Sequence, residues 1–107
     1  MARDGLGEFE QRVLLAILRL GAESYSVPIV LELEERMDKS VAPAAVYIAL
    51  RRLEDKGLVS SRMAKGDDGG RERRYFKVEE AGVERLQESR RELEALWEGL
   101  DPLLDKK

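Results

Sequence analysis

Between Lys65 and Lys77 the chain gathers Arg71, Arg73 and Arg74 beside two glycines, Gly69 and Gly70, and two aromatics, Tyr75 and Phe76. Guanidinium groups so placed suit phosphate. Each offers a planar fork of N–H donors that matches phosphate oxygens. The glycines serve a turn. Further upstream stand Tyr47, Arg51 and Arg52, and Lys65 precedes the glycines. The Tyr47 hydroxyl suits a phosphate, or its ring packs on the arginine-rich segment. Arg51 and Arg52 suit the same polyanion, or they pair with Asp55 and Glu54 on their own helix, an exposed arrangement that contributes only about 0.3–0.5 kcal/mol.

Other chemistry is excluded by composition. The chain has no cysteine and no histidine. That removes the usual zinc and haem ligand sets, thiol chemistry and histidine acid–base pairs. The phosphate loop G-x-x-x-x-G-K-[ST] is absent. The many glutamates fall in helical patterns, which points to solvated helix faces and not to a metal site. No enzyme activity, cofactor or metal is expected. No apolar run reaches the roughly 20 residues a bilayer span needs. The start, MARDGLGEFE, lacks the basic region and apolar stretch of a secretory signal, so a cytoplasmic protein without a membrane is expected.

The elements that would position these side chains follow from periodicity. Phe9, Val13, Ile17 and Leu20 recur at helical spacing over residues 8–20, and Leu14, Leu15 and Leu18 widen the stripe until the helix is apolar around most of its circumference. Ser26 has the chemistry of an N-cap, with Pro28 in the first turn of a second helix that runs to about Asp38 and buries Val30, Leu33 and Met37. Pro43 opens a third helix on the core stripe Val46, Leu50 and Leu53, and Gly57 closes it in the left-handed conformation. Residues 58–65 and 73–78 alternate as two strands around the turn 66–70. In the second strand Arg73, Tyr75 and Lys77 face one way and Arg74, Phe76 and Val78 the other, so one of the two aromatics is expected in the core and the other outside. A long helix follows from Glu79. Leu86, Leu93 and Leu100 repeat every seven residues, with Leu96 and Leu103 on the adjacent seam.

Charge is unevenly spread. The net charge of the chain is −3, yet residues 51–77 carry nine basic and five acidic side chains. A basic middle between acidic ends holds phosphate locally and limits non-specific adhesion. The expected fold is therefore mainly α with a small β-hairpin: a winged helix-turn-helix over residues 1–78, then a C-terminal dimerisation helix over 79–107.

The stretches "AAVYIALRRLEDKGLV" and "GGRERRYFKVEEAGVERL" resemble the PadR family of bacterial transcription regulators. That family pairs a recognition helix of the form G-[ST]-[LV]-Y-x-x-L-x-R-L-E-x-x-G-L with an R-x-[RK]-x-Y wing and a T-x-x-G start to the last helix. Tyr47, Leu50, Arg52, Leu53, Glu54, Gly57 and Leu58 fall on the first pattern, Arg71, Arg73, Arg74, Tyr75 and Phe76 on the second, and Gly82 on the third. Ala44 replaces the usual glycine, Ser24-Tyr25-Ser26 replaces a Gly-Tyr-Gly-like entry, and Val78 stands near the place of the helix-starting threonine. The resemblance covers roughly residues 8–104. It implies a homodimer that represses a gene from a palindromic operator.

On this basis double-stranded DNA is the expected partner. Arg71, Arg73, Arg74 and Lys65 anchor phosphates, while Ala45, Tyr47, Ile48, Arg51 and Arg52 lie on the base-reading helix. Ile48 either meets a thymine methyl or belongs to the core. A second copy of the chain would bury Leu14, Leu18, Leu86, Leu93, Leu96, Trp97 and Leu100. Trp97 either anchors that dimer or, as the resemblance implies, stacks on a small aromatic effector at its interface. The alternative is a winged-helix module for protein–protein contact without DNA binding.

Overall fold

The computed structural model describes residues 6–66, 69–100 and 102. Helix α1 (Glu8–Leu20) runs into a short 3-10 turn, Gly21–Glu23. Then come α2 (Ser26–Met37), α3 (Pro43–Asp55), the antiparallel strands β1 (Val59–Lys65) and β2 (Glu72–Val78), and α4 (Glu80–Trp97). The architecture is the expected one, mainly helical with a two-stranded hairpin, in a winged helix-turn-helix order.

One core joins the first three helices to the base of the hairpin. Val13, Leu14 and Ile17 meet Ile29 and Leu33, then Val46, Ala49, Leu50 and Leu53, with Leu58, Val59 and Phe76 closing the cluster. On α2 the fully buried residue is Ile29, whereas Val30 and Met37 pack only partly against the core. The reason is phase. Ile29 and Leu33 are one turn apart on the inner face, and Val30 lies beside it. Ser26 is also displaced from its expected role: it is the first helical residue, Tyr25 precedes it, and no side chain caps α2.

Helix α3 has the ends its sequence requires. Pro43 occupies the first turn, where its missing N–H has no helical partner to lose. At the other end Gly57 sits at φ +77. Its N–H donates to the Glu54 carbonyl and the Leu58 N–H to the Leu53 carbonyl, at 3.0 and 2.9 Å, a Schellman closure that turns the chain directly into β1. Between α2 and α3 the turn is fixed differently. Asp38 takes φ 55, and the Glu34 carboxylate accepts the Val41 N–H at 3.0 Å.

The α1–α2 connection is joined to the hairpin by a backbone hydrogen bond. The Phe76 N–H donates to the Ser24 carbonyl at 2.8 Å. Ser24 is itself buried, with its hydroxyl 3.0 Å from the Ile17 carbonyl and 2.8 Å from that of Gly21, so its one proton serves the end of α1. This pairing lays Tyr25 against the outer face of β2, ring centroids 5.4 Å from Tyr75 in an edge-to-face contact. Both Tyr75 and Phe76 are consequently buried, at 7% and 9% exposure. The expectation that only one would be buried assumed a bare outer face, and Tyr25 covers it.

Helix α4 ends earlier than the leucine heptads imply. Glu98 leaves helical geometry and Gly99 takes φ +83, so Leu100 lies in a turn whose N–H donates to the Trp97 carbonyl. The seam position expected at Leu103 and the turn expected at residues 67 and 68 lie outside the described residues, as do both ends of the chain.

A semi-buried ion pair ties α1 to the C-cap of α3. The Glu10 carboxylate accepts from Lys56 Nζ at 2.8 Å and from the Gly7 N–H at 2.9 Å. Burial raises the carboxyl pKa. The Lys56 and Gly7 hydrogen bonds and the charges of Lys56 and Arg52 together outweigh burial, so the folded carboxyl lies below its ordinary value of 4.5. The unfolded chain then takes up the proton first as pH falls. The stabilisation is complete above 4.5 and is lost as pH drops through the lower, folded value. Lys56→Met should cost about 2 kcal/mol at neutral pH, the scale of a hydrogen bond to a charged group. It should also flatten the acid limb of stability, measured as the urea midpoint at several pH values below neutrality. An acid limb unchanged by the substitution would contradict this assignment.

Candidate nucleic-acid interface

The outward stripe of α3 carries Ala44, Tyr47, Ile48, Arg51, Arg52 and Asp55, spaced three and four residues apart. All are exposed because the inward stripe, Val46, Ala49, Leu50 and Leu53, takes the whole of the core contact. Tyr47 is 57% and Ile48 53% exposed, so neither is a core residue. Tyr47 is held along its own helix, not on the wing: Arg51 Nη1 approaches its hydroxyl at 3.5 Å, with the guanidinium carbon 5.9 Å from the ring centroid. This contact raises the Arg51 pKa further above an already high value, so the side chain stays cationic.

Ala45 differs from its expected place. It is half-buried beside Glu10, Ile48 and Arg52 in a groove of about 480 Å3 between α1 and α3. Ala44 is the alanine on the open stripe, and its spacing to Tyr47 and Ile48 was the available signal.

The wing arginines separate by strand alternation. Arg74 is exposed and donates to Ser61 Oγ at 3.0 Å, and Ser61 donates to Glu54 Oε2 at 2.7 Å. A chain of three polar side chains thus links the wing to the last turn of α3. Arg73 points to the opposite face, its guanidinium carbon 4.5 Å from the Tyr25 ring centroid, and Arg62 lies 5.0 Å from the Tyr75 ring. In the order Arg73, Tyr25, Tyr75, Arg62 the side chains form a continuous chain of two cation–π contacts joined by one edge-to-face contact. Lys65 and Arg71 are exposed near the hairpin tip. Ser61, Tyr25 and Arg62 were not anticipated as supports for the arginines, since the first needs the α3–wing junction and the others the Ser24–Phe76 pairing.

The residues proposed for a dimer contact divide. Leu14 is fully buried in the core of its own chain and has no surface to offer a second copy. Leu86 packs partly on the same core. Leu18, Leu93, Leu96, Trp97 and Leu100 are exposed, and so is Leu15 on α1. Among the described residues no cluster of acidic side chains is arranged to hold a metal, and no helix is long and apolar enough to cross a membrane.

Comparison with known proteins agrees with this layout. The model of the transcriptional regulator PadR-like family matches residues 14–88. A PadR family transcriptional regulator from Eggerthella lenta is 26% identical, with 91% of this chain and 87% of that chain covered and a TM-score of 0.65. A PadR-like transcriptional regulator from Bacillus cereus superposes with a TM-score of 0.76 at 20% identity, covering 92% of this chain and 93% of that one. For a PadR family transcription regulator from Clostridium difficile the TM-score is 0.71 at 22% identity, with 90% and 98% covered. At these two lower identities the likeness speaks for the fold. No match was found among curated proteins. PadR-like regulators bind DNA and are not enzymes. With the winged-helix order, the matched family segment running from α1 into α4, and the exposed stripe of α3 beside an arginine-bearing hairpin, the chain belongs to the PadR-like family of transcriptional regulators.

Proposed function

We propose that the chain is a homodimeric repressor, cytoplasmic, acting on a palindromic operator. Residues 1–78 hold the DNA and 79–107 the partner. The observation that carries this reading is the exposed stripe of α3 beside a wing whose Arg74 is tethered to it through Ser61 and Glu54. In this reading α3 enters the major groove, through Ala44, Tyr47, Ile48, Arg51 and Arg52. Arg71, Arg73, Arg74 and Lys65 meet phosphates.

Dimerisation has its own support. Leu93, Leu96 and Trp97 are 56%, 73% and 49% exposed on a helix that leaves the core after Leu86, and Leu15 and Leu18 are half-exposed on α1. Apolar side chains so grouped require a cover. A two-fold axis supplies one and sets two α3 helices about 34 Å apart, one DNA turn. Trp97 anchors this interface. A planar aromatic effector stacked on it is a further part of the proposal, and a titration with planar cationic or phenolic compounds that leaves Trp97 fluorescence unquenched would remove it.

The direct test is Arg73→Ala with Arg74→Ala. If both hold phosphates, affinity should fall at least about tenfold on every duplex alike, and the slope of log affinity against log salt should shrink by about 2 per half-site, or about 4 for the dimer on its operator. Loss confined to one sequence would assign them to base reading instead. Wild-type protein with no DNA affinity at low salt would favour a protein-contact module.

A further inference from the structure

We infer that α3 reads sequence through thymine C5-methyl groups, with Ile48 making the discriminating contact; this rests on the DNA-binding reading above. From Pro43 to Leu50 the helix bears no side chain able to hydrogen-bond a base except Tyr47. The Tyr47 hydroxyl already stands beside the Arg51 guanidinium. Polar base recognition therefore begins only at Arg51 and Arg52, in the second half of the helix. The first half presents Ala44 and Ile48, one turn apart, with half-buried Ala45 beside them.

Ile48 lines the α1–α3 groove with Phe9, Ala45 and Ala49, yet these neighbours leave its side chain largely open. It is 53% exposed, and Arg51 and Arg52 follow it on the outward stripe. A branched aliphatic side chain flanked by cations suits a polyanion that carries an apolar feature. Among base edges in the major groove, the thymine methyl is that feature. Ala44 has only a methyl side chain, so the backbone can approach closely enough for Ile48 to reach it. Val27 and Leu31 of α2, 57% and 59% exposed, continue the apolar surface beyond Ala44 and Tyr47 along a groove of about 460 Å3.

The test uses duplexes that the full-length protein selects from a randomised library. Each thymine of the selected site is replaced in turn by deoxyuridine, which removes the methyl and leaves base pairing intact. One thymine per half-site should show about fourfold weaker binding on replacement, the effect of one buried methyl. Ile48→Ala should bind the thymine and deoxyuridine duplexes equally, closing a double-mutant cycle. Ile48 is exposed, so its truncation leaves the core intact. Tight selection of a site in which no deoxyuridine matters, or in which Ile48→Ala feels the methyl as wild type does, would overturn this inference alone. Failure to select any duplex would overturn the DNA-binding reading and this inference with it.

Discussion

Gly82→Ala should destabilise the protein by about 3 kcal/mol, at the upper end of what an added methyl costs in a tightly packed site. The sign is the informative part. An exposed helical glycine replaced by alanine ordinarily gains up to about 1 kcal/mol. Gly82 is buried, and a Cβ there would lie 2.5 Å from the Leu58 carbonyl oxygen and 2.8 Å from Val78 Cγ1. The same carbonyl accepts the Glu79 N–H at 2.9 Å, so the first turn of α4 is fastened to the residue it would have to retreat from. Leu58 cannot give way either. Its side chain is in the core, and its N–H closes α3 through Leu53. One added methyl therefore strains the junction of α3, β1 and α4 together. Urea unfolding followed by circular dichroism measures the shift. An unchanged or raised midpoint would show that α4 does not dock on β1 as described.

Leu96→Glu should convert the proposed dimer to a monomer without unfolding the chain. Leu96 is 73% exposed and contributes nothing to the core of its own chain, so helix content and unfolding of the isolated subunit should be retained. In the proposed dimer a carboxylate at this position is buried without a partner, which costs several kcal/mol per copy, and two-fold symmetry places it there twice. Affinity for a two-half-site operator should then fall at least about 100-fold, because the second half-site is no longer held at high effective concentration. Sedimentation of wild type and variant, beside operator binding, reads both effects. A variant that stays dimeric would move the interface off this face of α4.

How much of this was legible in the sequence depends on the range of the interaction. Helix α3 was legible at both ends, because Pro43 and Gly57 are local devices that act within one turn. The opposite orientation of Arg73 and Arg74 followed from strand alternation alone. The burial of Tyr75 did not, since it depends on Tyr25, and Tyr25 reaches it only through the Ser24–Phe76 hydrogen bond. Leu14 was assigned to a dimer contact because α1 is apolar nearly all round, and periodicity cannot say which part of such a helix meets its own core. The structure gives Leu14 to that core and leaves Leu15 and Leu18 outside. Gly82 stood out only by resemblance. Its physical reason is a contact with Leu58, distant in sequence. The start of α4 differed for the same reason: Glu79 is the residue before the helix, three before Gly82, and its carboxylate engages the Ser60 hydroxyl and not the helix N-terminus.

The central claim is that the α3 stripe and the wing form a sequence-selective DNA surface. The most direct measurement is fluorescence anisotropy of the purified protein with the DNA upstream of its own gene, beside a scrambled duplex, over a series of salt concentrations. Preferential binding to the upstream DNA is predicted, with log affinity falling linearly as log salt rises, through release of counterions from the phosphates the arginines neutralise. Absence of binding to either duplex at low salt would contradict the claim.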